Sequence, residues 1–199
     1  MAKLLLIDGE NFKGKIRSVY KSMNKNKPKW HLYDFKGLLD KVLGENEFET
    51  PVFYIAKITE HKDSIEKSKQ LIEEQRLLKT HLEKQGFTVI TAGQVRGQTE
   101  EGVRGKQMLI FKEKGVDVRI AVDMVSAACD GKAKEIFLAS SDSDLQPAIK
   151  AVRNRGLQCI YVGFETAPNK GMTFTTNRTI LIRNSEILEF ETKPQQLLL

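Results

Sequence analysis

Leu4, Leu5, Leu6 and Ile7 form an uninterrupted apolar run that stops abruptly in Asp8, Gly9, Glu10 and Asn11. A short continuous apolar run of this kind reads as a strand covered on both faces, as in a parallel sheet enclosed between helices. Its abrupt end sets a carboxylate at the tip of a central strand. In open α/β sheets the crevice beyond the carboxyl ends of the strands is where ligands bind, which makes Asp8 a candidate for chemistry. A turn in which Asp8 or Asn11 caps the next helix accounts for the same residues, and the two readings stand side by side here.

The remainder alternates in the manner of βαβ units. Asp34 is placed to cap a helix reaching about Val42, and Gly44 stops it. Residues 51–58 read as a second strand, 64–85 as a long amphipathic helix and 87–91 as a third strand. Residues 93–105, rich in Gly and polar side chains and carrying Arg96 and Arg104, read as a loop over the crevice, with a short helix over 106–114. The helix expected after Gly115 runs to about Cys129 and is apolar nearly all round, so it is expected to be buried. Residues 136–139 repeat the buried-strand signature, and 157–162 and 179–182 supply fifth and sixth strands. One domain over residues 1–191 is expected, with 12–33 a basic insertion or loop and 192–199 a flexible tail.

A chain of 199 residues buries enough surface to need neither disulfide nor structural metal. Its two cysteines lack metal-ligand spacing, and no apolar segment approaches membrane-spanning length, so a soluble, cytoplasmic protein with no membrane partner is expected. The net charge of +6 and pI near 9.2 are compatible with a polyanion. Placement says more. No acid occurs from Phe12 to Tyr33, where Lys13, Lys15, Arg17, Lys21, Lys25, Lys27 and Lys29 interleave with Phe12, Tyr20, Trp30 and Tyr33. Cations for phosphates and aromatic faces for bases suit single-stranded nucleic acid. Core packing of the aromatics beneath solvated lysines fits equally well.

Acids recur at two further places. Asp117 stands near a helix start, where it can cap or face a crevice; Asp123, six residues on, lies roughly 120° away around the axis and can instead pair with Arg119 one turn back. The strand at 136–139 ends in Ser140, Ser141, Asp142, Ser143 and Asp144, more acid than one cap requires. Carboxylates gathered at one sheet edge repel, by roughly 4 kcal/mol for a pair about 4 Å apart at an effective dielectric of 20. Mg²⁺ or Mn²⁺, which favour oxygen ligands, would neutralise them and activate water against phosphorus. His31, His61 and His81 are scattered without ligand spacing, and no serine or cysteine triad offers a rival chemistry.

The order IDGEN, KGVDVRIAVD and LASSDSDLQP over nearly the whole chain resembles the NYN domain, a branch of the PIN-like nuclease superfamily. The resemblance implies a Rossmann-like three-layer α/β/α sandwich with a mostly parallel sheet of five or six strands. It also implies an acidic pocket that binds Mg²⁺ or Mn²⁺ and cleaves RNA to a 5′-phosphate and a 3′-hydroxyl. By motif, the catalytic set is Asp8, Asn11, Asp117, Asp142 and Asp144, and the metal set is Asp8, Asp117, Asp123 and Asp142, since Asp123 matches the KGVD-x₅-D pattern. Lys13, Lys15, Arg17, Arg104 and Lys106 are the expected RNA contacts. Ser141 stands where the family often has glycine, and Leu145 where phenylalanine is common. RNA is the expected partner, and a homodimer is left open. Two alternatives accompany this reading: a non-catalytic RNA-binding module, and a phosphatase or nucleotide hydrolase, for which there is no P-loop pattern and, after the first strand, DGEN stands in place of a DxD motif.

Overall fold

The computed structural model describes residues 2–44, 46–60, 65–101 and 107–191. Strand β1 (Ala2–Asp8) leads directly into helix α1 (Gly9–Ser22), and a 3₁₀ turn (Trp30–Leu32) precedes α2 (Phe35–Leu43). Then follow β2 (Val52–Lys57), α3 (Ile65–Lys84), β3 (Thr88–Glu101), β4 (Gln107–Lys114) and α4 (Val116–Cys129). The chain closes with β5 (Ala133–Ala139), α5 (Gln146–Arg153), β6 (Gln158–Phe164), α6 (Lys170–Thr175), β7 (Arg178–Ile182) and α7 (Asn184–Glu189).

The strands form one sheet in the order β4-β3-β2-β1-β5-β6-β7. Every neighbouring pair is parallel except β3 and β4, which are antiparallel, so the parallel sheet has six strands and a seventh lies at its edge. The α/β class, with helices on both faces, is as expected. The pleat of β1 shows why its apolar run is continuous. Leu5 and Ile7 join the core under α1, α2 and α3 with Phe12, Phe35 and Leu82, whereas Leu6 joins the opposite core with Ile120, Met124 and Ile149 of α4 and α5. Each face therefore needs its own large apolar side chains, and burial of one of them contributes about 1.5–3 kcal/mol.

Local signals place the helices. Asp34 caps α2 by accepting the Gly37 amide at 2.8 Å, and Gly44 leaves that helix at φ 61°. Pro147 sits in the first turn of α5, where its missing N–H is harmless.

Four expectations are corrected. Residues 93–101 are not a loop, nor 107–114 a helix: β3 and β4 pair antiparallel from Gln94↔Lys114 to Glu101↔Gln107, and the rest of both expected segments, 102–106, lies outside the described residues. The apolar run 108–111 is too short to show a helical period, and pairing with β3 decides in favour of a strand. Residues 12–33 are not a basic loop, because α1 occupies most of the first half; Phe12, Ile16, Val19 and Tyr20 fall at helical spacing on its buried face. Helix α4 is not buried all round: Val118 and Val122 are 61% and 53% exposed, while Ile120 and Met124 are fully covered. The proposed tail at 192–199 lies outside the described residues.

Candidate active site

The sheet order dictates where the ends of the chain's segments meet. From β1 the chain winds outward through β2 and β3, then returns to lay β5 on the other side of β1 and winds outward again. The carboxyl ends of β1 and β5 are therefore the point at which the winding reverses, and a crevice opens between the departing loops. Ile7 pairs with Ala139, so Asp8 and the segment 140–142 leave the sheet side by side.

Asp8 ends β1 and caps α1, its Oδ1 accepting the Asn11 amide at 3.1 Å. Its Oδ2 accepts the Ser140 hydroxyl at 3.0 Å, and that hydroxyl in turn accepts the Asp142 amide at 3.2 Å. Only 8% of Asp8 is exposed. Burial pushes its carboxyl above the usual carboxylate range, with Asp142 and Glu10 adding to the rise and the two hydrogen bonds opposing it. A carboxylate has about four acceptor positions, so two donors leave it able to meet a cation as well.

Asp142 caps the 3₁₀ turn at 143–145 by accepting the Asp144 amide at 2.9 Å. Asn11 Oδ1 accepts the Ser141 amide at 3.0 Å, which ties α1 to this loop. From below, the Ser141 hydroxyl meets the Tyr161 hydroxyl at 2.7 Å, and the Asn169 amide donates to the Ser141 carbonyl at 2.8 Å. Asn11 thus holds the loop after β5 against α1. Ser140 is marked in the sequence only as the hydroxyl directly after the apolar run of β5, and Tyr161 and Asn169 carry no such signal.

Asp117 arrives from the other side. It occupies the second position of α4, and the cap position belongs to Gly115 at φ 92°, so Asp117 is not spent on capping. Asp8, Glu10, Asn11, Asp117, Asp142 and Asp144 line one open pocket of about 430 Å³ together with Lys114, Gly115 and Val116. Lys114 was not expected among the acids. It has no salt-bridge partner among the described residues and puts one cation into a carboxylate pocket.

Asp123 is not in this pocket. It accepts the Arg119 Nε at 3.0 Å and the Tyr54 hydroxyl at 2.9 Å, the local pairing that the helical angle allowed. Of the expected RNA contacts, Lys13 and Arg17 flank Glu10 at 2.9 and 3.2 Å. Burial alone would raise the Glu10 carboxyl, but those two cations outweigh it and hold the group below its usual range. Lys15 instead donates to the Ala167 carbonyl at 3.1 Å, on a different side of α1. Arg104 and Lys106 lie outside the described residues.

The donor set is one of hard oxygens, which suits Mg²⁺ or Mn²⁺. Among the described residues no group of three acidic, histidine or cysteine side chains converges closely enough to ligate a single ion. Magnesium does not need such a cage, since it keeps several waters and is commonly held by one or two carboxylates. The pocket fits an ion held partly through water.

A family model described as the NYN domain matches residues 4–180. Domains of this family are PIN-like, nuclease-like hydrolases that typically use divalent metals. The crystal structure of a protein of unknown function from Vibrio parahaemolyticus is similar in fold, with a TM-score of 0.60 at 17% identity over 91% of this chain and 93% of that one. No curated protein matches the chain. Among the described residues, no helix is long and apolar enough to cross a membrane.

Proposed function

This chain belongs to the NYN domain family, and from that premise we propose that it is an Mg²⁺- or Mn²⁺-dependent ribonuclease acting at the crevice between β1 and β5. The observation that carries the reading is the meeting of Asp8, Asp117, Asp142 and Asp144, from three distant parts of the chain, around one pocket at the reversal point of the sheet.

Asp8, Asp117 and Asp142 would hold the ion, directly or through water, with Asp144 completing the set. When bound, the ion would supply an activated water and a polarised phosphate oxygen. The protein's own contribution is positional. The Ser140 hydroxyl, donating to the Asp8 carboxylate and accepting the Asp142 backbone amide, ties that carboxylate to the backbone that carries Asp142 before any ligand enters. Asn11, Tyr161 and Asn169 clamp the intervening loop, so little reorganisation is left for the reaction. Lys114, at the rim of the pocket, is placed to meet a phosphate oxygen.

Labelled single-stranded RNA incubated with Mn²⁺ should be cut to 5′-phosphate and 3′-hydroxyl ends. Asp8→Asn and Asp142→Asn should each abolish cutting with the circular dichroism spectrum retained. Undiminished cleavage in both variants would sink the proposal. A second reading, an RNA-binding module without catalysis, is kept because no three acids converge on a single ion among the described residues. Wild-type protein that binds RNA and Mn²⁺ yet leaves the RNA intact would establish that one instead.

A further inference from the structure

Of the four aromatic residues between Phe12 and Tyr33, three are consumed by the core: Phe12, Tyr20 and Tyr33 are at most 1% exposed. Trp30, the single tryptophan of the chain, is not. It packs one way against Phe35 and Tyr33, with ring centroids 6.2 and 6.3 Å away. The Lys13 ammonium and the Arg17 guanidinium both approach its ring, at 6.0 and 5.9 Å from the centroid. These are the two cations that hold Glu10, and Glu10 also lines the acidic pocket.

Around them lies a second pocket of about 190 Å³, walled by Trp30, Ile55, Ala56 and Leu78 and rimmed by Lys13, Arg17 and Lys27. Pockets for drug-sized ligands span about 300–1,000 Å³, so this one suits a single planar ring system rather than a whole nucleotide. Its walls are apolar and aromatic, as a base requires, and three cations against the two carboxylates Glu10 and Glu74 leave the lining positive, as a phosphodiester requires. Gln75, also in the lining, donates its amide nitrogen to the Ala56 carbonyl at 2.7 Å. That bond fixes which end of the side chain is oxygen, and no donor to this oxygen is found among the described residues, which leaves it for an N–H on a base edge.

We propose that this pocket receives one unpaired base of a single-stranded RNA, flanking the phosphodiester held at the acidic crevice. Lys13 and Arg17 hold the intervening backbone, and Glu10 positions both cations from the boundary that the two pockets share. The inference rests on the ribonuclease reading and adds to it a preference for substrate that is single-stranded at this nucleotide, since a paired base would first have to be unstacked and unpaired at an energetic cost.

With one tryptophan, intrinsic fluorescence reports the pocket directly. A short single-stranded oligoribonucleotide, titrated in EDTA so that nothing is cut, should change the Trp30 emission saturably. The same strand with its bases removed should bind wild type about tenfold more weakly, read by polarisation of an end label. Trp30→Ala should bind both strands alike, because the base no longer has its partner. Arg17→Ala and Lys27→Ala leave Trp30 in place and should weaken both strands in wild-type proportion, which keeps the test independent of whether Trp30→Ala folds. Saturable binding without a change in emission overturns the proposal. So does equal affinity of wild type for intact and base-free strands, or no binding at all. A saturable Trp30 signal in a protein that never cleaves RNA would overturn the ribonuclease reading alone.

Discussion

Gly9 and Gly14 sit five residues apart in the same helix and should respond to alanine in opposite directions. A methyl at Gly14 would meet nothing within 4 Å, so Gly14→Ala removes only the conformational freedom of glycine. That gains about 0.5–1 kcal/mol in a helix. At Gly9, a Cβ would fall 2.4 Å from the Tyr54 carbonyl oxygen and 2.5 Å from Phe53 Cε1. One obstacle is backbone of a buried strand and the other a fully buried ring, so neither can step aside and α1 must shift. Overpacking of this sort costs about 1–3 kcal/mol. For a chain of this length about 2–4 °C accompanies each kcal/mol, so Gly9→Ala should melt roughly 2–12 °C lower and Gly14→Ala roughly 1–4 °C higher than wild type. Thermal unfolding by circular dichroism reads both. Because Gly9 follows Asp8 and begins the turn that holds Asn11, the Gly9 variant should also cleave RNA more slowly when assayed well below its melting point. A Gly9→Ala protein that melts at or above wild type would refute the close approach of α1 to β2.

Asp8→Asn should stabilise the metal-free protein at neutral pH. Burial raises the Asp8 carboxyl in the fold, so its contribution to stability is intact below the unfolded value of about 3.9 and is lost as pH rises through the folded value. The melting-temperature advantage of the variant should therefore be largest near neutrality and shrink toward pH 4; an advantage that grew on acidification would contradict this. Asp123→Asn should leave Mn²⁺-dependent cleavage near wild type, since Asp123 faces Arg119 and Tyr54 rather than the pocket, and should cost about 1 kcal/mol or less because its partner Arg119 is half exposed. Loss of cleavage in this variant, with the fold intact, would return Asp123 to the metal set.

The buried strands were legible because both faces of β1, β5 and β6 are covered, and a strand covered twice writes an unbroken apolar run. Asp8, Asp142 and Asp144 were legible for the same reason, as they follow closely on such runs, and Asp117 because it opens a largely apolar helix. What the chain hid lies where local pattern and tertiary partner disagree. Strand β4 shows only four consecutive apolar residues, and its strand character comes from pairing with β3. The aromatics of 12–33 look alike in sequence, yet Phe12 and Tyr20 recur at helical spacing toward the core whereas Trp30 belongs to a turn that leaves it partly uncovered. Lys114 could not be told from any other surface lysine until the hairpin delivered it to the rim of the acidic pocket.

The reversal of winding at β1 divides the chain's contributions unequally: Asp8 comes from the half that winds one way, Asp142 and Asp144 from the half that winds the other, and Asp117 from the helix that crosses between them. No contiguous fragment lacking either half holds the whole pocket. The crevice therefore behaves as a coincidence detector for folding, existing only while both halves are docked along the β1–β5 seam. A break anywhere between residues 9 and 141, even in an exposed connection, should leave whatever chemistry the crevice performs dependent on reassociation of the two pieces, and hence on their concentration.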